Sequence, residues 1–229
     1  MNLHQNIVRI KAVYRALGDL AGDVIFVGGA TVALYADRPA TDVRPTDDVD
    51  IVVEVAGYVG YAALESRLRE KGFVNDQASG IICRYSIRGI IVDVMPTAKD
   101  ILGFSNKWYA DAFQYSEEIQ LDEYKLKIFS APFFIATKLE AFKGRGNGDG
   151  RTSSDFEDII FLLNNRTTIW DEMNEASHEL KAYLQDECKA LLENPNIQEW
   201  ISAHLDFTEQ RRLSFILGGL YAFTNFENG

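Results

Sequence analysis

The hydrophobic period of this chain turns from mostly strand-like to helical near residue 130, and that change limits its fold more than any other feature. Ahead of it, apolar residues fall in short β-branched runs: DVIFVGG at 23–29, DVDIVVEV at about 48–55, then FVND at 73–76, IICRYSIRG at 81–89 and IIVDVMPT at 90–97, most simply two or three strands. Runs of that length bounded by turn residues read as strands, with a tight turn at Arg88-Gly89. EEIQLDEYKLKIFS at 117–130 predicts one more hairpin. Behind residue 130 the spacing is helical, over 132–145, 153–165 and several stretches across 170–225. Two helices interrupt the strand-rich part. Residues 5–20 place Ile7, Ile10, Val13, Leu17 and Leu20 on one stripe, and 60–72 ends on Lys71-Gly72, a C-cap signal. ATVALYADR at 30–38 has helical propensity and is broken by PATDVRPT. A strand-rich half followed by a helical half predicts an α+β chain, with domains over 1–130 and 131–229.

Several function classes recede on composition. The net charge of −11 counts against a generic nucleic-acid binder, although it does not say where the charges lie. Cys83 and Cys188 match no metal-ligand spacing and read as small buried hydrophobes. The N-terminal residues lack the apolar core of a signal peptide, and no run approaches the roughly 18 apolar residues of a membrane span. A cytoplasmic protein with no membrane partner is expected.

Against that background, RPTDDVDIVVEV (44–55) is unusual because it crowds carboxylates at the start of a core strand. Residues two apart on a strand share a face, so Asp48 and Asp50 point together while Val49 and Ile51 point the other way. Asp47 reads as turn chemistry, and Asp48 by itself could pair with Arg44. Asp93 is a lone acid inside the apolar run IIVDVMP, and burying such a charge is costly unless it is paired. If its strand lies beside the first, Asp48, Asp50 and Asp93 form a three-carboxylate cluster. Oxygen-rich clusters of this kind suit Mg²⁺, and can bridge two ions about 4 Å apart for in-line displacement at phosphorus.

Upstream, VGGATVAL (27–34) reads as strand, Gly28-Gly29 turn and helix start. Bare glycines allow a phosphate close to the backbone, and Thr31 could add a hydroxyl. The pattern is neither a Walker loop nor a dinucleotide fingerprint. Taken together, GGATVALYADR followed by RPTDDVDIVV resembles the AbiEii-type nucleotidyltransferases, toxins of type IV toxin–antitoxin systems, with their MenT-like relatives, within the polymerase-beta-like superfamily. The resemblance covers about residues 20 to 165. It implies a nucleotidyltransferase fold, a twisted mixed sheet flanked by helices, followed by a C-terminal helical region. It further implies Mg²⁺-dependent transfer of an NMP from an NTP to an acceptor hydroxyl, on a tRNA 3′ end or a protein, under the control of a cognate antitoxin. Many superfamily members carry Gly-Ser at the turn; here Gly29 and Ala30 follow Gly28, leaving Thr31 or backbone N–H groups to meet the phosphates.

The helical half holds a second constellation. In FFIATKLEAFKGR, Ile135, Leu139 and Phe142 form an apolar stripe, with Lys138 and Arg145 on one flank. In SSDFEDIIFLL, Ser153 or Ser154 is an N-cap candidate, Phe156, Ile159, Ile160 and Leu163 form a core face, and Asp155, Asp158 and Leu162 form a second face. The same family resemblance matches Lys138-Leu-Glu-Ala141 and Asp155-Phe-Glu-Asp158-Ile159. It implies that Lys138 reaches the nucleotide phosphates, with Asp155 and Asp158 supporting the site. Arg145 and Arg151 are candidate contacts for the acceptor or the triphosphate. Two alternatives stay open: a small-molecule acceptor of the aminoglycoside type, and a non-catalytic NTP-binding module of the same fold.

Overall fold

Strand β1 (Val24–Val27) is apolar at every position and every position is buried, as befits a strand inside a sheet. It joins β2 (Asp48–Val53), β3 (Val74–Asn75), β4 (Arg84–Ile87), β5 (Ile90–Pro96), β6 (Ser116–Leu121) and β7 (Tyr124–Phe129) in one sheet of order β3-β4-β5-β2-β1-β7-β6. The sheet is mixed: β2 runs parallel to β5 and β1 parallel to β7, while the remaining pairs are antiparallel. The β4–β5 hairpin turns at Arg88 and Gly89, both at positive φ, as a two-residue loop requires. Edge strand β6 is polar, with Glu117 and Glu118 exposed, which discourages further strand pairing.

This computed structural model describes residues 2–38, 43–103, 105–145 and 148–225. The chain divides into two compact units, Met1–Thr31 with Asp42–Ser130, and Val32–Thr41 with Ala131–Gly229. The first contains the sheet with helices α1 (Asn2–Leu17), α2 (Gly57–Glu70), α3 (Lys99–Leu102) and α4 (Tyr109–Gln114). On α1, Ile10, Val13 and Leu17 are buried and Ile7 is half-buried. Helix α2 stops as its Lys71-Gly72 signal predicts: Gly72 adopts positive φ, and the Phe73 N–H returns to the Leu68 carbonyl. The stretch with helical propensity after Gly28 forms a 3-10 helix over Gly29–Tyr35, opened by the Thr31 N–H donating to the Gly28 carbonyl.

The second unit contains α5 (Ala131–Arg145), α6 (Ser154–Asn165), α7 (Ile169–Glu175), α8 (His178–Leu192), α9 (Ile197–Ala203) and α10 (Arg212–Thr224). Residues 131–139 of α5 are all buried, so this helix is enclosed on every side rather than along one stripe. Ser153 caps α6, its hydroxyl accepting from the Phe156 N–H. Phe142, Phe156 and Trp200 pack ring to ring beneath the two helices, with centroids 5.3–6.0 Å apart. Both cysteines are buried. Among the described residues, no helix is long and apolar enough to cross a membrane.

Candidate functional site

Parallel pairing of β2 with β5 sets Asp50 directly beside Asp93, with Asp48 two residues earlier on the same face. The three carboxylates converge: each offers an oxygen within 4.8 Å of the others. Val49 and Ile51, on the opposite face, are fully buried and anchor the strand that carries two of the acids. At an effective dielectric near 20, two carboxylates at such a spacing repel by roughly 3–4 kcal/mol. Positive charge has to offset that repulsion, and the donor set, all carboxylate oxygen, fits a hard divalent cation such as Mg²⁺.

The protein itself supplies positive charge to the cluster. Arg84, on β4, is the register partner of Asp93. Its Nε donates to Asp93 Oδ1 at 2.8 Å and its Nη2 to Asp93 Oδ2 at 2.7 Å. Nη2 also reaches Asp48 Oδ2 at 3.4 Å. The bond to Asp93 raises the guanidinium pKa further above its ordinary value, outweighing the opposing effect of burial. Cys83 lies next to Arg84 in sequence, but burial first and the Asp93 charge second push its thiol up to about 11, so it stays a neutral packing residue.

The glycine turn closes against this cluster. A Cβ on Gly28 would lie 1.9 Å from Asp50 Oδ2, so the absence of a side chain is what lets the turn and the carboxylate meet. A Cβ on Gly29 would lie 2.2 Å from Nη2 of Arg44, whose guanidinium therefore rests on the turn. Asp48 takes its hydrogen bond from Arg84 rather than from Arg44, the partner considered from sequence. Thr31 is fully buried, and its hydroxyl donates to the Gly28 carbonyl at 2.9 Å, bracing the turn from within. Asp47 is exposed on the surface with Arg9 at 3.7 Å, in keeping with turn chemistry. Asn6, fully buried on α1, holds the segment leading into β2: it donates to the Arg44 carbonyl and accepts from the N–H and hydroxyl of Thr46.

The second constellation also assembles, inside the helical unit. Lys138 Nζ stands 3.1 Å from Asp155 Oδ1 and 2.6 Å from Asp158 Oδ2. Arg145 grips Asp155 with two bonds of 2.7 and 2.9 Å. Lys138, Asp155 and Asp158 are 5%, 2% and 1% exposed, so the second face of α6 is as buried as the first. Burial alone would raise the Asp155 carboxyl; the Arg145 bond and the Lys138 charge outweigh it and hold that pKa below its ordinary value. Arg151 pairs with Asp149 and Glu199.

Comparison with known proteins adds a fold relationship. No protein-family profile matches the sequence, and no curated protein matches it. The structure is similar to that of an antigenic nucleotidyltransferase-like protein from Paracoccidioides brasiliensis, with a TM-score of 0.51 and 17% identity, over 91% of this chain and 97% of that one. The fold is nucleotidyltransferase-like. Two residues of the site, Arg84 and Asn6, escape sequence reading. Arg84 alternates with Tyr85 and Ile87 as any polar strand residue would, and only its register against Asp93 gives it meaning. Asn6 had one signal, a polar residue on the inward side of an amphipathic helix.

Proposed function

We propose that this chain is a Mg²⁺-dependent nucleotidyltransferase that moves an NMP from an NTP to an acceptor hydroxyl. The observation that carries this reading is the convergence of Asp48, Asp50 and Asp93 against the Gly28-Gly29 turn, within a nucleotidyltransferase-like fold. Asp48, Asp50 and Asp93 would hold the divalent cations. When bound there, Mg²⁺ would neutralise phosphate charge and make the acceptor hydroxyl more acidic. The Gly28-Gly29 turn, with Asp50 and the Arg44 guanidinium closed against it, would meet the triphosphate, and Thr31 keeps the turn in shape for it. Asp93 accepts the acceptor's proton as the new P–O bond forms at the α-phosphorus and the bond to the β-phosphate breaks, releasing pyrophosphate. For Lys138, Asp155 and Asp158, enclosure at a few per cent exposure supports bracing of the helical unit over direct contact with the nucleotide.

The resemblance to AbiEii-type proteins supports a finer reading: a cytoplasmic toxin of a type IV system that acts on a tRNA 3′ end or a protein and is held in check by an antitoxin. The test is to incubate the protein and Mg²⁺ with each labelled NTP, total tRNA and cell lysate. One fraction should gain label, and Asp48→Asn and Asp93→Asn should abolish it. Absence of label in every fraction, with both variants as toxic to cells as the parent, would sink the proposal.

A further inference from the structure

We propose that Arg84 is the resident counter-ion of the acid cluster: it holds Asp93 and Asp48 when no metal is bound and yields their oxygens to a divalent cation, thereby setting the affinity of the site. The inference rests on reading the three acids as cation ligands, and concerns how this chain regulates them. Its basis is geometric. The planar fork of Arg84 engages both oxygens of Asp93 and reaches a third oxygen on Asp48. These are oxygens a metal ion also needs, because Mg²⁺ and Mn²⁺ bind through carboxylate lone pairs. A cation entering the cluster must displace the guanidinium or share a carboxylate with it at close range, and either outcome weakens its binding.

Arg84 is also placed to let go. Its side chain keeps 20% of its surface exposed, whereas that of Asp93 keeps 12%, so the head group can withdraw toward solvent while the acid stays fixed between β2 and β4. A guanidinium is more weakly hydrated than an ammonium and matches a carboxylate in shape, which suits it to keep like charges together until an ion replaces it. Tyr85 and Ile87, on the other face of β4, are buried and hold the strand in place during the exchange.

The experiment measures Mn²⁺ binding to the full chain without nucleotide, by the loss of the free-ion electron paramagnetic resonance signal, in the parent, Arg84→Gln and Arg84→Lys. Thermal melts are recorded in EDTA and in excess Mn²⁺. Arg84→Gln should bind Mn²⁺ about tenfold tighter than the parent, because a positive charge beside the ion is gone. Its melting temperature should fall in EDTA and rise more than the parent's on adding Mn²⁺. Arg84→Lys, which keeps the charge and loses the fork, should lie between them and serves if Arg84→Gln does not fold in EDTA. A purely structural role would leave affinity equal or weaker in the variants; that result, with the parent binding normally, overturns this inference alone. Failure of all three proteins to bind Mn²⁺ overturns it together with the metal-site reading.

Discussion

A Cβ at residue 28 would lie 1.9 Å from Asp50 Oδ2, on a backbone held at φ +73°. Both the left-handed conformation and the close approach work against an L side chain, and the atoms it would meet, Oδ2, Cγ and Cβ, all belong to Asp50, so relieving the conflict shifts a member of the cluster. At residue 29 φ is unexceptional, and the nearest atom to an added Cβ is Nη2 of Arg44, the far end of a flexible side chain. The two adjacent glycines should therefore respond differently to alanine. Gly28→Ala should destabilise the sheet unit by about 2 kcal/mol or more, from the φ penalty and the steric conflict together, and should remove Mn²⁺ binding. Gly29→Ala should displace the Arg44 guanidinium at a cost of about 1 kcal/mol or less. Urea unfolding of the two variants beside the parent measures the difference; equal losses would show that the turn, rather than its contact with Asp50, sets the requirement.

Helices α5 and α6 are joined by charge as well as by packing. Lys138 emerges from the buried stretch 131–139 of α5 and meets two aspartates on the neighbouring helix, one of which is also gripped by Arg145. A buried ion cluster of this sort adds little net stability over a well-packed apolar substitute, yet removing one member leaves charge stranded. Lys138→Met keeps most of the volume and removes the ammonium. It should cost the helical unit about 3–5 kcal/mol, read from the fluorescence of Trp170 and Trp200 during denaturation. If Lys138 served only the nucleotide, the same variant would melt like the parent and show a raised KM for NTP.

For the whole molecule, a net charge of −11 makes self-repulsion a destabilising force at neutral pH. Protonation relieves it as pH falls toward 5. Paired carboxylates act in the opposite sense. Asp155 has a folded pKa below its ordinary value, and Asp19 is held at about 2 by Lys71 first and Arg67 second. Such groups contribute stability that is fully present above the unfolded carboxylate value near ~4, and that is lost as pH falls through the lower folded values. Melting temperature should therefore be level or slightly higher at pH 5 than at pH 8, then drop steeply below about pH 4. A melt series from pH 8 to pH 3 checks this; a steady decline from pH 8 to pH 5 would place the controlling groups elsewhere.

Local chemistry was enough for the sequence to announce its elements. Strand runs, the Arg88-Gly89 turn, the Lys71-Gly72 cap, a serine cap at 153 or 154 and a second, acidic face on α6 all follow from spacing, because helix and strand periods act over a few residues. The same is true of the shared direction of Asp48 and Asp50. Which strands become neighbours does not follow from period. Only the parallel pairing of β2 with β5 brings Asp93 beside Asp50, and only the register of β4 lays Arg84 across the acids. Likewise, Lys138 is a flanking lysine in sequence and becomes an enclosed ion only when α5 is covered on all sides. The sequence by itself determined where each charge enters its strand or helix. Tertiary structure decided which charges meet, since the energy of a carboxylate depends on what the fold places within a few ångströms of it.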